Sequence, residues 1–494
     1  MSGDGHASTG IEGFDAILRG GFPRGRLFLI EGMPGSGKTT LAMQFLIDGA
    51  SRGEPVLHVT MSETAEELRA AAVSHGWSLE GIHIRELVPS EIELRPDHQY
   101  TMFHPSEMEL TDRTKSILSE VDRLKPTRVV FDSLSELRLL AGNPLRYRRQ
   151  ILGLKQFFAG RHCTVLLLDD LTATDRDLQI QSIAHGAVSL EQLSPEYGIE
   201  RRRLRVVKLR GASFLGGYQD YVIRRGGLTV FPRLVAAEHR LVVPKGRLSS
   251  GVAELDKFLG GGIERGTSTL IVGAPGTGKS SLAARFVASA AERGQRGTMF
   301  TFDENRHVLL SRAAGLGIHL QEHIDRGLVE IQQVDPAELS PGEFAHAVRV
   351  ASTEGERVMI VIDSLNGYVN AMPGEKYLAL HLHEMLTYLG QLGVATILIG
   401  AHQGFVGGQM QGPVDASYLA DAVLLLRYFE AAGEVRQAIS IVKKRGGAHE
   451  RTIREFSLEE GAIRVGHPLR EFRGVLTGVP TYRGSDAPQT EETS

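Results

Sequence analysis

One eight-residue pattern occurs twice in this chain and constrains everything around it. Gly32-Met33-Pro34-Gly35-Ser36-Gly37-Lys38-Thr39 and Gly273-Ala274-Pro275-Gly276-Thr277-Gly278-Lys279-Ser280 both read G-x-x-x-x-G-K-[ST]. Glycines at these spacings let the backbone curl until successive N–H groups face one anion. A helix starting at the lysine adds the positive end of its dipole. The lysine reaches the β- and γ-phosphates of ATP, and the Thr or Ser hydroxyl faces Mg²⁺. The expected nucleotide-binding residues are Gly35, Ser36, Gly37, Lys38, Thr39 and Thr40, then Gly276, Thr277, Gly278, Lys279, Ser280 and Ser281. A short apolar run precedes each loop (Leu27 to Ile30; Leu270 to Val272), and a helical apolar pattern follows (Leu41 to Leu46; Leu282 to Phe286). Two full matches in matching contexts argue against chance glycine-rich turns.

The loops are landmarks of a longer internal repeat, offset by 273 − 32 = 241 positions. Gly10-Ile11-Glu12-Gly13-Phe14-Asp15 leads into the first, and Ser250-Gly251-Val252-Ala253-Glu254-Leu255-Asp256 into the second. After each loop comes a strand pattern ending in acid, Val56 to Glu63 and Thr298 to Glu304. A further strand pattern ends in Asp-Ser, at Asp132-Ser133 and Asp363-Ser364. Each copy closes on a basic signature, Lys208-Leu209-Arg210-Gly211 and Lys443-Lys444-Arg445-Gly446. Short apolar strands alternating with helices predict an α/β fold, a mostly parallel twisted sheet with helices on both faces. The closely spaced late strands predict an antiparallel extension at one side. The expected organisation is a domain over 1–234, a linker over 235–246, a second domain over 247–480 and a polar, disordered tail over 481–494. Residues 1–10 are small and polar and read as loose.

Each phosphate loop has candidate partners. Asp132 and Asp363 end apolar strands beside the loop, where a carboxylate orients the Mg²⁺ shell together with Thr39 and Ser280. Glu63 and Glu304 end a neighbouring strand, where a carboxylate polarises water or a hydroxyl aimed at the γ-phosphate. The second copy carries an acidic pair, Asp303-Glu304, and the first has Ser62-Glu63. Lys208 and Arg210, like Lys443 and Arg445, alternate along their strands and point to one face. Such a pair is either a solvated strand edge or a clasp on the phosphate of a neighbouring subunit. Its recurrence before a glycine in both copies favours the clasp.

Bulk properties narrow the field. A net charge of −4 gives no global basic field for nucleic acid. The lone cysteine, Cys163, rules out an intrachain disulfide or a cysteine-based zinc module, and its apolar neighbours suggest an inert thiol. No apolar run reaches the length of a membrane span, and Met1 to His6 lacks the basic start and apolar core of a secretory signal. A cytoplasmic location is expected.

Together these motifs resemble the KaiC family, tandem RecA-like bacterial clock ATPases and autokinases. The similarity covers nearly the whole chain and includes His75-Gly76-Trp77 and Ala448-His449-Glu450. It implies a double-ringed hexamer with ATP between subunits and Lys208, Arg210, Lys443 and Arg445 reaching the neighbour's nucleotide. It implies slow ATP hydrolysis in the N-terminal ring, where Glu63 matches one of two catalytic glutamates and Ser62 replaces the other. It implies phosphate transfer in the C-terminal ring onto an adjacent subunit's Ser-Thr pair. Here Ser417 matches the serine, Tyr418 stands where the threonine would be, and Asp303 is one methylene shorter than the family glutamate. A tyrosine hydroxyl lies several ångströms farther from the backbone, which opposes in-line alignment. A KaiB-type partner is a further implication.

The rival class is a RecA-like DNA-dependent ATPase with basic loops lining a channel. Its strongest support is Arg201-Arg202-Arg203-Leu204-Arg205, which also reads as a solvated hairpin. A nucleotide-switched scaffold without kinase activity differs only in turnover. His381-Leu382-His383-Glu384 is not a metal motif, because i and i+2 on a helix do not face each other.

Overall fold

The computed structural model describes residues 5–87, 105–171, 178–194, 198–235, 245–335, 337–353, 357–370, 377–401, 417–431, 433–475 and 481–482. Most of the expected linker (236–244) and of the expected tail (483–494) lies outside them. The chain divides into two compact units, Met1–Arg233 and Leu234–Ser494.

The first unit is built on a nine-stranded sheet. Its strands are β1 (Leu27–Gly32), β2 (Val56–Thr60), β3 (Ile82–Glu86), β4 (Arg128–Asp132), β5 (Thr164–Asp170), β6 (Gly186–Leu193), β7 (Arg201–Leu209), β8 (Gln219–Arg224) and β9 (Gly227–Phe231). Across the sheet the order is β3-β2-β4-β5-β1-β6-β7-β8-β9. The strands from β3 to β6 run parallel, and β6 through β9 are antiparallel.

The second sheet comprises β10 (Ser268–Gly273), β11 (Gly297–Thr301), β12 (Val329–Gln333), β13 (Met359–Asp363), β14 (Ala395–Ala401), β15 (Ala422–Ala431), β16 (Glu434–Lys444), β17 (Arg454–Glu459) and β18 (Ala462–Pro468). Its order is β12-β11-β13-β14-β10-β15-β16-β17-β18. Each label is the first unit's label plus nine, so the repeat in sequence is a repeat of topology.

The central strands are apolar on both sides because helices cover both faces. In the first unit, Phe28, Ile30, Val130 and Leu166 pack with Leu41, Phe45 and Leu46 of α1 (Lys38–Ser51), while Leu29, Val129 and Leu167 pack on the other face with Ile151 and Phe158. Both P-loops leave the C-terminal end of the central strand, where neighbouring strand ends also gather.

Three expectations needed adjustment. His6–Ala7 pairs with Phe22–Pro23, and Thr9 is buried with its N–H and hydroxyl each 2.8 Å from Asp15 Oδ1, so this part of the N-terminus is anchored. Ser250 and Asp256 repeat the arrangement at 2.7 and 2.8 Å. At the other end Thr481–Tyr482 pairs with Phe472–Arg473, and the Tyr482 and Phe472 rings lie 5.4 Å apart, so ordered pairing extends past Pro480. Finally, Glu63 and Glu304 lie beyond their strands, which end at Thr60 and Thr301. The Thr60 side chain turns the chain, accepting from Glu63 N–H at 3.1 Å.

Candidate functional sites

In the first site Gly35 and Gly37 adopt φ of +81° and +89°, the left-handed region open to glycine. A Cβ on Gly37 would come within 2.5 Å of Ile223 Cδ1, so the loop lies close against the sheet and a side chain there would make Ile223 move. α1 starts at Lys38, and the N–H groups of its first turn have no partner within the helix. Ser36 is buried, and its carbonyl accepts from Tyr221 Oη at 2.5 Å. The Lys38 ammonium donates to the carbonyls of Gly32 and Met33, each at 3.0 Å, and pairs with Asp170 Oδ1 at 2.7 Å.

Thr39 Oγ1 donates to Asp132 Oδ2 at 2.8 Å. Burial pushes the Asp132 carboxyl up to about 6, against the Thr39 hydrogen bond that favours its charged form. Glu63 is half-buried and raised by desolvation and by Glu67. It has no counter-ion among the described residues, and Ser62 beside it is exposed. Thr40 is half-buried in the first turn of α1.

The second site repeats the plan with different charges. Gly276 and Gly278 have φ of +80° and +94°, and α2 (Lys279–Glu292) starts at the lysine. Thr277 is buried, its hydroxyl donating to the Ala274 carbonyl at 2.8 Å, and Ser281 is buried in the first turn of α2. Lys279 donates to the Ala274 carbonyl at 2.8 Å and is lowered by burial, which Asp363 opposes. Burial raises the Asp363 carboxyl, and a hydrogen bond from Ser280 opposes the rise. Among the described residues Asp363 Oδ2 is buried without a hydrogen-bond partner.

Asp303 is exposed, and its Oδ2 accepts from Ser364 Oγ at 2.5 Å. Glu304 is raised by burial, but Arg312 of α3 (Arg306–Gly315) lies 2.7 Å from its Oε2 and opposes the shift. The two glutamates therefore sit in unlike fields.

A hydroxyl beside a carboxylate is a hard-oxygen donor set of the kind Mg²⁺ takes, and the orphaned Asp363 oxygen is a free acceptor of that type. Thr39 with Asp132, and Ser280 with Asp363, fit a nucleotide-bound Mg²⁺ on that ground.

The basic pairs lie at the opposite end of each sheet from that unit's own P-loop. Register places Lys208 opposite Ala187 and Ala187 beside Leu29, three positions before Gly32 on β1. Lys443 lies opposite Val423, which sits beside Leu270, again three positions before Gly273. Three residues of strand rise are roughly 10 Å, and two strand spacings add a similar lateral separation. Lys208 donates to the Gln181 carbonyl, and Arg210 to the Ser182 carbonyl at 3.0 Å. Lys443 donates to the carbonyls of Ser417 and Ala420, each at 2.7 Å, and Arg445 to that of Tyr418 at 2.9 Å. Ser417 and Tyr418 are thus held on their chain's far side from its own phosphate loop, both exposed.

A family model described as "ATPase: KaiC" matches residues 7–235 and again 248–470. The chain belongs to the KaiC family. The circadian clock oscillator protein KaiC of Thermostichus vulcanus is 29% identical over 483 residues, covering 96% of this chain and 91% of that one. Its namesake from Synechococcus elongatus is 28% identical with the same coverage, and the circadian clock protein KaiC3 of Synechocystis is 26% identical over 96% and 94%. Similarity along both units matches the duplicated sheet, and ATPase chemistry is the shared feature of this KaiC match.

Sequence reasoning missed two groups at these sites. Asp170 ends an apolar strand with no motif to mark it, and its grip on Lys38 joins residues 170 − 38 = 132 positions apart. Arg312 lies one helix beyond Glu304, in a stretch with no motif of its own. The arginines at 201–205 are engaged locally: Arg203 pairs with Glu191 at 2.8 Å, and the Arg203 and Arg205 guanidiniums stack 4.1 and 5.1 Å from the Tyr218 ring. Trp77 is half-buried, and its ring centroid lies 4.7 Å from that of His75. Among the described residues no helix is long and apolar enough to cross a membrane.

Proposed function

We propose that this KaiC-family protein is an ATP- and Mg²⁺-dependent ring ATPase, a hexamer by family analogy, that autophosphorylates Ser417 across subunit boundaries in the cytoplasm. The observation that carries this reading is the separation of Lys443, Arg445 and Ser417 from their own P-loop by register. A group so placed serves a nucleotide only when a neighbour presents one.

In the N-terminal half the P-loop N–H groups and Lys38 bind the phosphates, and Glu63 accepts a proton from the attacking water. Lys208 and Arg210 of a neighbour stabilise charge on the transferring group. In the C-terminal half Ser417 Oγ attacks the γ-phosphorus, the bond to the β,γ-bridging oxygen breaks, ADP leaves, and Glu304 takes the hydroxyl proton. Thr39 with Asp132, and Ser280 with Asp363, would hold Mg²⁺, which would supply neutralisation of the phosphate charge. Ser417 is preferred over Tyr418 because a phenol projects its oxygen several ångströms farther.

The Glu304–Arg312 ion pair favours a second reading, a nucleotide-switched ring with little kinase activity, because it holds the base away from a serine. Intact-mass measurement and phosphosite mapping after incubation with Mg-ATP separate the two. Phosphate on Ser417, lost in E304Q and reduced in D303N, is the expected result. ATP hydrolysis with no phosphate on the protein would leave the switch. Failure to bind ATP at either loop would end both readings.

A further inference from the structure

We infer that Asp170 makes the first P-loop discriminate against triphosphate in favour of diphosphate, by presenting to Lys38 the carboxylate that a γ-phosphate must displace. This rests on the reading of residues 32–39 as an ATP site.

The geometry is specific. Lys38 Nζ contacts Gly32 O, Met33 O and Asp170 Oδ1 at 3.0, 3.0 and 2.7 Å, which engages all three donors of an ammonium. The lysine is almost wholly buried, with 7% of its side chain exposed. Asp170 is itself fixed: Ser135 Oγ donates to its Oδ2 at 3.3 Å, and the Asp170 N–H approaches the same hydroxyl oxygen at 3.4 Å. β5 lies directly beside β1, with Asp170 in register with Gly32, so the carboxylate stands at the mouth of the loop.

The P-loop N–H groups cradle the α- and β-phosphates and the lysine reaches the β- and γ-phosphates, so the γ-phosphate is the one that lies towards the strand ends. A γ-phosphate on Lys38 therefore comes within a few ångströms of the Asp170 carboxylate in a partly desolvated site, where like charges repel strongly. ADP brings the lysine its β-phosphate but not the γ-phosphate charge nearest Asp170.

The second unit supplies a control. Ala401 holds the register position beside Gly273 that Asp170 holds beside Gly32. Asn366 occupies the place of Ser135, binding the Ala401 backbone at 2.7 and 3.2 Å. Lys279 has no carboxylate within ion-pair distance among the described residues, since only Asp363 acts on it, from farther off. The strand position is the same in both units and is tethered from the same place, by Ser135 in one and Asn366 in the other, while the acid is present in one.

The test is calorimetric titration of the full-length chain with Mg²⁺ and either ADP or a non-hydrolysable ATP analogue, in a K279A background that leaves the first site to be read. D170N is expected to raise affinity for the analogue about tenfold or more while changing ADP affinity less than about threefold. The reciprocal variant, A401D in a K38A background, is expected to weaken the analogue selectively at the second site. It also reads the same quantity should D170N fail to fold. Equal changes for both nucleotides, or weaker analogue binding in D170N as for a metal-shell ligand, would overturn the inference. Binding of neither nucleotide to the parent K279A chain would instead overturn the ATP-site reading.

Discussion

Lys443 Nζ lies 2.7 Å from the carbonyl oxygen of Ser417, so the basic pair and the expected phosphoacceptor form one assembly. If that assembly works on a neighbour's ATP, subunits should complement each other. A chain carrying S417A keeps a competent nucleotide site, and a chain carrying K279A keeps an acceptor. Neither alone should gain phosphate, whereas a reassembled mixture should show phosphate on the K279A chain only. Mass spectrometry of chains tagged to differ in mass reads this directly, and label on neither chain would contradict transfer in trans.

Arg312 bears on acid–base behaviour. It lowers the affinity of Glu304 for a proton, against the rise caused by burial. In R312Q the carboxyl should titrate at higher pH, and a base must be ionised to act. The acid limb of ATP turnover by a K38A chain, which reads the second site, should therefore move upward in pH. An unmoved limb would mean that Glu304 is not the titrating base.

His58 sets an acid limit on stability. It is fully buried on β2, both ring nitrogens lack hydrogen-bond partners among the described residues, and burial lowers it to about 4. The unfolded chain takes up the proton near 6.5, so stability falls as pH drops from there towards 4, by about 3 kcal/mol. Met299 occupies the corresponding place on β11. H58M should lessen the acid sensitivity of the first unit's thermal transition between pH 7 and 5; an unchanged sensitivity would place its origin elsewhere.

Arg128 is wholly buried, pairing with Glu54 at 2.7 Å and Asp48 at 3.1 Å and donating to the carbonyls of Ser8 and Phe45, each at 2.7 Å. Burial works to raise the Glu54 carboxyl, but the hydrogen bonds and charges of Arg24 and Arg128 together outweigh it and hold the group down to about 2. R128M alone strands these acids and should cost about 3–5 kcal/mol. The second unit has Ser289, Gln295 and Met359 at the three places. The triple variant D48S/E54Q/R128M should recover most of the loss in denaturant unfolding. A triple variant as unstable as R128M would show that the cost lies in packing and not in unpaired charge.

Legibility followed the range of the interaction. The P-loops, strand sequence and antiparallel extension rest on neighbours a few residues apart, and all were readable. Anchoring of His6 and Thr9 was not, because it depends on a strand pair with Phe22–Pro23 and on Asp15. Lys38 with Asp170, and Glu304 with Arg312, become neighbours only when separate strand ends or a strand end and a helix meet. No periodicity marks such a pair. Lys-x-Arg was visible as a pattern, but its placement away from the local phosphate loop follows from strand register, which the sequence does not print.

The shared strand order of the two units gives this chain an internal library of substitutions. Asp170 faces the same position as Ala401, His58 as Met299, and Arg128 as Met359. An exchange between halves introduces a side chain that the same pleat, register and covering helix already accommodate elsewhere in the molecule. Differences in nucleotide preference or acid tolerance between the halves can therefore be traced by transplanting single residues within one polypeptide, with each half serving as the other's reference scaffold.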